Sequence, residues 1–222
     1  MSKPMTSRSR IENRWPIAKE VLPFILALGG AGVLLALVGW WIAAAPFVLV
    51  ACFSLWFFRD PDRNPPLGPG LVSPADGLVL SVTEEEDERF LKARARKISI
   101  FMSVWSVHVN RAPLAGVVED VRYEPGRFFK AHLEKSSREN EHNAVLLRTA
   151  GEDRIVFVQI AGVIARRIAC WVSPGDEVRR GQRVGLIRFG SRLDVYLPLE
   201  ARVKVRPGEK VRAGQSILGD LS

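Results

Sequence analysis

Pro174-Gly-Asp-Glu-Val-Arg-Arg-Gly-Gln182 returns 33 residues later as Pro207-Gly-Glu-Lys-Val-Arg-Ala-Gly-Gln215, and Val184 and Ile217 keep the same offset. Each copy reads as a tight turn, one apolar position, a Gly-Gln pair and an apolar strand. Two units are too few to stack as a solenoid, so the repeat points to a compact, mainly β barrel with internal pseudo-symmetry. Residues 78–82, 97–104, 116–123, 144–148, 154–160 and 163–171 are rich in β-branched or aromatic side chains and read as short strands. Turns carry Gly, Pro or Asp: Pro74-Ala-Asp-Gly77, Pro125-Gly126, Pro174-Gly-Asp176, Pro207-Gly208. The polar stretch 131–143 suits a short helix or a loop.

The N-terminal part is different. The 38 residues 21–58 contain no charge. As one helix they would run about 57 Å, against roughly 30 Å of bilayer hydrocarbon. A helical hairpin fits better, with segments 21–38 and 42–58 joined at Gly39-Trp40-Trp41; Pro46 either kinks the second segment or shifts its start. The run is too long for a signal peptide. Lys3, Arg8, Arg10, Arg14 and Lys19 precede it, and Arg59 and Arg63 follow it. Positive charge on both flanks keeps both in the cytoplasm. A re-entrant segment would carry the same pattern. The chain therefore divides into a basic segment (1–20), a membrane anchor (21–58) and a β domain (59–222), expected on the cytoplasmic face of the inner membrane.

Net charge is +8 and the pI about 10.0. With an anchor present, an anionic lipid surface is the expected partner. The aromatics cluster in the anchor rather than among the basic residues, which argues against nucleic acid. The basic run 91–97 follows an acidic run at 84–88; it reads as a solvated strand edge, with lipid-phosphate contact as the alternative. Cys52 and Cys170 form no disulfide or zinc pattern and read as apolar fillers in a reducing compartment. His108, His132 and His142 lack metal-ligand spacing.

Gly190-Ser191, in FGSRLDVYLP, carries the chemistry. Ser191 Oγ can attack the Gly190 carbonyl and convert the amide to an ester, and glycine tolerates the strained dihedrals this requires. Elimination and hydrolysis would cap the chain starting at residue 191 with a pyruvoyl group. Two other readings are open: a non-enzymatic membrane-tethered adaptor or lipoyl-like carrier, which the repeat suits, and a pyruvoyl decarboxylase with a soluble substrate. A carrier requires a lysine at the hairpin tip, and none occurs between the repeats before Lys204. A soluble substrate leaves the anchor without a purpose.

The turn-strand repeat is similar to barrel-sandwich folds of the lipoyl and biotinyl type. FFRDPDRNPP (57–66), SPADG (73–77), SVWSVHVNRAPLAG (103–116), YEPGRFFKAH (123–132), ENEHN (139–143), QIAGVIARRI (159–168) and FGS (189–191) together resemble the short bacterial form of phosphatidylserine decarboxylase. The resemblance implies self-cleavage between Gly190 and Ser191 into a β chain (1–190) and an α chain (191–222) that stay together as a heterodimer. It also implies a pyruvoyl cofactor made from Ser191, and decarboxylation of membrane phosphatidylserine to phosphatidylethanolamine. The pyruvoyl carbonyl forms a Schiff base with the substrate amine and acts as the electron sink. Neither metal nor pyridoxal phosphate is expected. Catalytic roles fall by resemblance on Ser191, His108 and Asp76: His108 handles protons, and Asp76 orients or charge-stabilises a base. Longer members carry a second histidine where Arg111 stands, and threonine where Arg192 stands. His132 and His142 are secondary candidates.

Overall fold

A computed structural model of the chain describes residues 17–18, 21–127, 129, 139–162, 168–188 and 190–221. These divide into two compact units, a helical one within Asn13–Asp62 and a β one taking up the chain at Arg63. Nearly all of the basic segment 1–20 lies outside the described residues, as do His132, Phe189, residues 163–167 and most of the polar stretch 131–143.

The helical unit is an antiparallel pair, α1 (Leu22–Leu37) and α2 (Trp41–Phe57). Gly39 reverses the chain between them at φ +82°, a left-handed conformation that costs glycine least. At Gly32 the helices approach closely: a Cβ there would lie 3.0 Å from Val48 Cγ2. Pro46 sits inside α2. Ile17 bridges to Arg59, and the Ala18 N–H donates to the Phe58 carbonyl at 2.9 Å, so the chain enters and leaves the pair at one end. With 16 and 17 residues, the helices measure about 24 and 26 Å. Among the described residues no helix is long and apolar enough to cross a membrane.

The β unit contains β1 (Leu71–Val72), β2 (Gly77–Asp87), β3 (Ala93–Met102), β4 (Val109–Arg111), β5 (Gly116–Glu124), β6 (His142–Arg148), β7 (Arg154–Ile160), β8 (Ile168–Cys170), β9 (Glu177–Val178), β10 (Arg183–Ile187), β11 (Ser191–Pro198), β12 (Arg202–Val203), β13 (Lys210–Val211) and β14 (Ile217–Asp220). A curled eight-stranded sheet has the order β13-β2-β3-β11-β7-β6-β5-β9, and two small sheets have the orders β1-β14-β12 and β4-β10-β8.

Exchanging β1, β2, β3, β11, β12, β13 and β14 with β4, β5, β6, β7, β8, β9 and β10 respectively maps each of these pairings onto another and the central β11–β7 pairing onto itself. The details repeat too. Gly208 N–H donates to the Val79 carbonyl and Gly175 N–H to the Val118 carbonyl, both at 2.8 Å. The β2–β3 register slips between Val79 and Ser81, and the β5–β6 register between Val118 and Asp120. Val72 N–H donates to Pro113 O and Arg111 N–H to Pro74 O, each at 2.9 Å, a reciprocal exchange between the copies. The nine-residue sequence repeat is thus one part of a larger duplication, whose other part is SPADGLV (73–79) against APLAGVV (112–118). One copy, β4–β10, is continuous. The other is split around it, so the second copy is inserted between β3 and β11, and Gly190–Ser191 is where the chain returns to the first.

The main core lies between the large sheet and the small ones and contains Leu71, Val79, Ile98, Ile100, Val145, Leu147, Phe157, Leu193, Val195 and Leu218. A smaller cluster of Phe90, Ala95, Ala144, Val156, Val158, Ile160 and Tyr196 covers the reverse face of the sheet. Across the β2–β3 hairpin the basic run meets the acidic run: Arg94 and Arg96 pair with Glu84, and Lys97 pairs with Glu85 at 2.6 Å. The two runs neutralise each other, as a strand edge should.

Apolar pattern alone does not announce the central strand, β11, because Arg192 and Asp194 interrupt it. Both are buried and satisfy each other: Arg192 Nε donates to Asp194 Oδ1 at 2.6 Å, and Arg192 Nη2 donates to Ser99 Oγ at 2.7 Å. Removing one member of such a pair strands a buried charge. We expect Asp194→Leu to destabilise the fold by about 3–5 kcal/mol and Arg192→Met/Asp194→Leu to recover most of that loss, as read from urea unfolding midpoints.

Candidate active site

Register places the candidate residues at one end of the large sheet. Lys210, Leu78, Phe101, Arg192, Ile160, His142 and Glu124 are successive Cα partners across β13, β2, β3, β11, β7, β6 and β5. Ser191 precedes Arg192 and pairs with Met102, the last residue of β3; Asp76 lies two residues before Leu78.

Ser191 is fully buried. Its Oγ donates to Met102 Sδ at 3.4 Å. A thioether is a weak, non-basic acceptor, so it holds the hydroxyl without ionising it. Gly190 has φ +55°, and nothing lies within 4 Å of where a Cβ would stand. Glycine is required here by the dihedral rather than by space.

Behind Met102 runs a chain of buried amides. Asn110 Nδ2 donates to Met102 Sδ at 3.6 Å, Gln159 Nε2 to Asn110 Oδ1 at 2.9 Å, and Asn143 Nδ2 to Gln159 Oε1 at 3.0 Å. Gly185 makes room for it, since a Cβ there would come within 2.8 Å of Gln159 Nε2. Sequence reasoning missed these three amides. The available signal was a single amide in each otherwise apolar strand segment, VFVQI and HNAVLL.

His108 is fully buried and directly precedes β4. Its carbonyl accepts the Ile187 N–H at 3.3 Å, and Leu186 pairs with Val109, so His108 lies beside the strand that leads into Gly190. Its Nδ1 is 3.0 Å from the Ser106 carbonyl. A carbonyl only accepts, so Nδ1 carries the proton of the neutral ring and Nε2 the lone pair. That is the tautomer a general base requires.

Asp76 is bound differently. Its carboxylate forms a two-pronged pair with the Arg63 guanidinium, the Nη2–Oδ2 arm being 2.8 Å, and Oδ1 also accepts the Ala213 N–H at 2.7 Å. Arg63 Nη1 returns a bond to the Ala213 carbonyl at 2.9 Å. The RDPDR and SPADG motifs are thereby bolted to the second repeat turn, on the far side of Gly190–Ser191 in sequence. Arg111, at the position of the second histidine of longer chains, is buried; it donates to the Gly181 carbonyl at 2.9 Å and packs against Gly214, the equivalent glycines of the two repeats. It joins the copies.

His142 lies two strands from β11, roughly 10 Å away. Its Nδ1 is 2.8 Å from the Asn140 carbonyl and its Nε2 3.3 Å from Glu124. Burial pushes the Cys170 thiol above its ordinary range, so it stays protonated at neutral pH. Tyr123 is likewise raised, by desolvation first and then by the Glu141 carboxylate. Cys52 is exposed on α2 rather than packed as a filler. Among the described residues no group of three His, Cys, Asp or Glu is placed to hold a metal ion.

A family model described as phosphatidylserine decarboxylase matches residues 50–219. Three curated relatives carry the name phosphatidylserine decarboxylase proenzyme. That of Syntrophus aciditrophicus is 50% identical over 206 residues, covering 91% of this chain and 96% of its own. That of Desulfotalea psychrophila is 46% identical, covering 93% and 97%, and that of Burkholderia cenocepacia 48%, covering 92% and 96%. The chain belongs to the phosphatidylserine decarboxylase family.

If the amide chain holds Met102 and through it Ser191, breaking it should register at both levels. We expect Gln159→Leu, which orphans Asn110 Oδ1 and Asn143 Nδ2, to lower stability by about 1–3 kcal/mol in urea titrations. The same variant should slow any scission at Gly190–Ser191, followed on denaturing gels.

Proposed function

We propose that this chain is a precursor that cuts itself between Gly190 and Ser191 and then decarboxylates phosphatidylserine to phosphatidylethanolamine and CO2. The observation that carries the reading is a buried serine opening the central strand directly after a left-handed glycine, in a chain of this family.

His108 Nε2 takes the proton as Ser191 Oγ turns from Met102 Sδ to the Gly190 carbonyl carbon. The C–N bond breaks, the Ser191 nitrogen receives the proton, and an ester links the two residues. Loss of the Ser191 Cα proton expels the Gly190 carboxylate and leaves a C=C bond; water then displaces the nitrogen as ammonia. The residues fit the resulting group: Ser191 is fully buried beside a neutral sulfur, and β11 anchors the new chain end. The pyruvoyl group so formed supplies a carbonyl electron sink for the electron pair left when the substrate's carboxylate departs. His108 then delivers a proton to the substrate. Asp76 acts on this end of the sheet as a positioning residue, through Arg63 and Ala213.

The α and β chains remain a heterodimer because β11, β13 and β14 pair with β3 and β7, β2, and β1. The duplicated seven-strand arrangement supports a barrel-sandwich relationship for the β unit. The α1–α2 pair, with basic flanks and adjacent ends, supports an anchor that enters the inner membrane from the cytoplasmic face and returns to it, with the β unit on that face.

Ser191→Ala removes the attacking oxygen and should leave one folded, inactive chain. Intact mass of the unmutated protein should give a 1–190 chain and a 32-residue fragment whose N-terminus resists Edman degradation; an intact chain that decarboxylates phosphatidylserine would refute the mechanism. His108→Ala should lower scission, turnover or both by about 10²–10⁴-fold, measured by gel and CO2 release.

A further inference from the structure

We propose that the end of the large sheet where β11 begins is the face the protein lays on a lipid bilayer, with Trp105 and Tyr123 as its interfacial side chains. The inference rests on the reading of the substrate as a phospholipid.

In the β unit four large apolar side chains are exposed among the described residues: Leu67, Leu78, Trp105 and Tyr123. Three of them lie at this one end. Leu78, 37% exposed, stands directly across from Phe101. Trp105, 70% exposed, follows the last residue of β3 by three. Tyr123, 56% exposed, is the penultimate residue of β5, opposite Asn143. β3 and β5 are four strands apart, about 19 Å, and β11 lies between them. The two aromatics therefore bracket Ser191. The opposite end of the sheet, where β2 turns into β3, carries the ion-paired acidic and basic runs instead.

Trp and Tyr favour the headgroup layer, where an apolar ring and a polar tip are both accommodated. Lys210, exposed and directly opposite Leu78, adds positive charge suited to anionic lipid. Geometry couples this rim to the chemistry. Trp105 rides on a turn closed by Ser106 N–H to the Ser103 carbonyl at 2.9 Å, and the Ser106 carbonyl of that turn holds His108 Nδ1. A headgroup reaches a buried site only if the rim of that site sits at the membrane surface.

The test uses full-length processed protein with Trp105→Ser, Tyr123→Ser and both together. Each is assayed on anionic vesicles containing phosphatidylserine and on short-chain phosphatidylserine below its micelle concentration. The double variant should lose about tenfold in kcat/KM on vesicles, through KM, and stay within about twofold of the unmutated enzyme on the monomeric substrate. Equal loss on both substrates would make Trp105 and Tyr123 supports of the site rather than a docking face, and no loss on either would also overturn the proposal. A changed sedimentation coefficient with unchanged vesicle turnover would give the face to a second copy of the chain. An unmutated enzyme inactive on both substrates would sink the substrate assignment itself.

Discussion

The backbone ladder of β11 bears on everything else in this protein. It runs between β3 on one side and β7 on the other, in the middle of the large sheet, and its first residue is the candidate nucleophile. A strand held on both edges cannot shift by one residue without turning Leu193, Val195 and Leu197 out of the core. Ser191 therefore inherits its position from the whole sheet. The Asp76–Arg63–Ala213 clamp and the β13–β2 pairing add a second attachment at the same end. The residues after 190 are held by many contacts, and the Gly190–Ser191 peptide bond is only one of their links to the rest.

Polar groups in the sheet are organised around that strand in two different ways. On the reverse face Arg192 and Asp194 are charged, buried and paired, an arrangement whose worth lies in specifying one register more than in net stability. On the core face the groups linked to Ser191 are neutral: a thioether and, behind it, three amides. Neutral partners hold a hydroxyl in place without changing its protonation. A buried carboxylate there would have drawn the Ser191 proton into a strong hydrogen bond.

Much of this was readable from residue patterns, and the failures have physical causes. The helical pair follows from a charge-free run with glycine at its midpoint, and its ends were found to within about a residue. Five strand segments were evident from β-branched content, and of the sixth, 163–171, residues 168–170 form a described strand. The Gly-Gln repeat exposed half of the duplication; the SPADGLV–APLAGVV half stayed hidden because its identity resides in backbone bonds and bulges more than in side chains. β11 was obscured because an ion pair replaces hydrophobic alternation where both charges can be buried together. Asp76 and His108 were assigned through the family resemblance rather than from local pattern, and their actual partners could not be read. Arg63 and Ala213 come from segments 13 and 137 residues away in sequence, and the amide chain joins three strands.

The split copy has one more consequence, which concerns what happens after the fold is lost. In the intact chain both halves of the first copy belong to one molecule, so their reassembly is independent of concentration. Once the bond at 190 is cut, the segment that supplies β11 to β14 is a separate peptide, too short to bury a core alone. Denaturation of the cut protein then releases that peptide into solution, and recovery becomes a second-order event that dilution opposes. On the proposed scission the uncut chain would refold as one molecule, whereas the persistence of the cut form would rest on how slowly it unfolds. Ageing of such a cut form would be a matter of barrier height, with the way back slowing as the small chain is diluted.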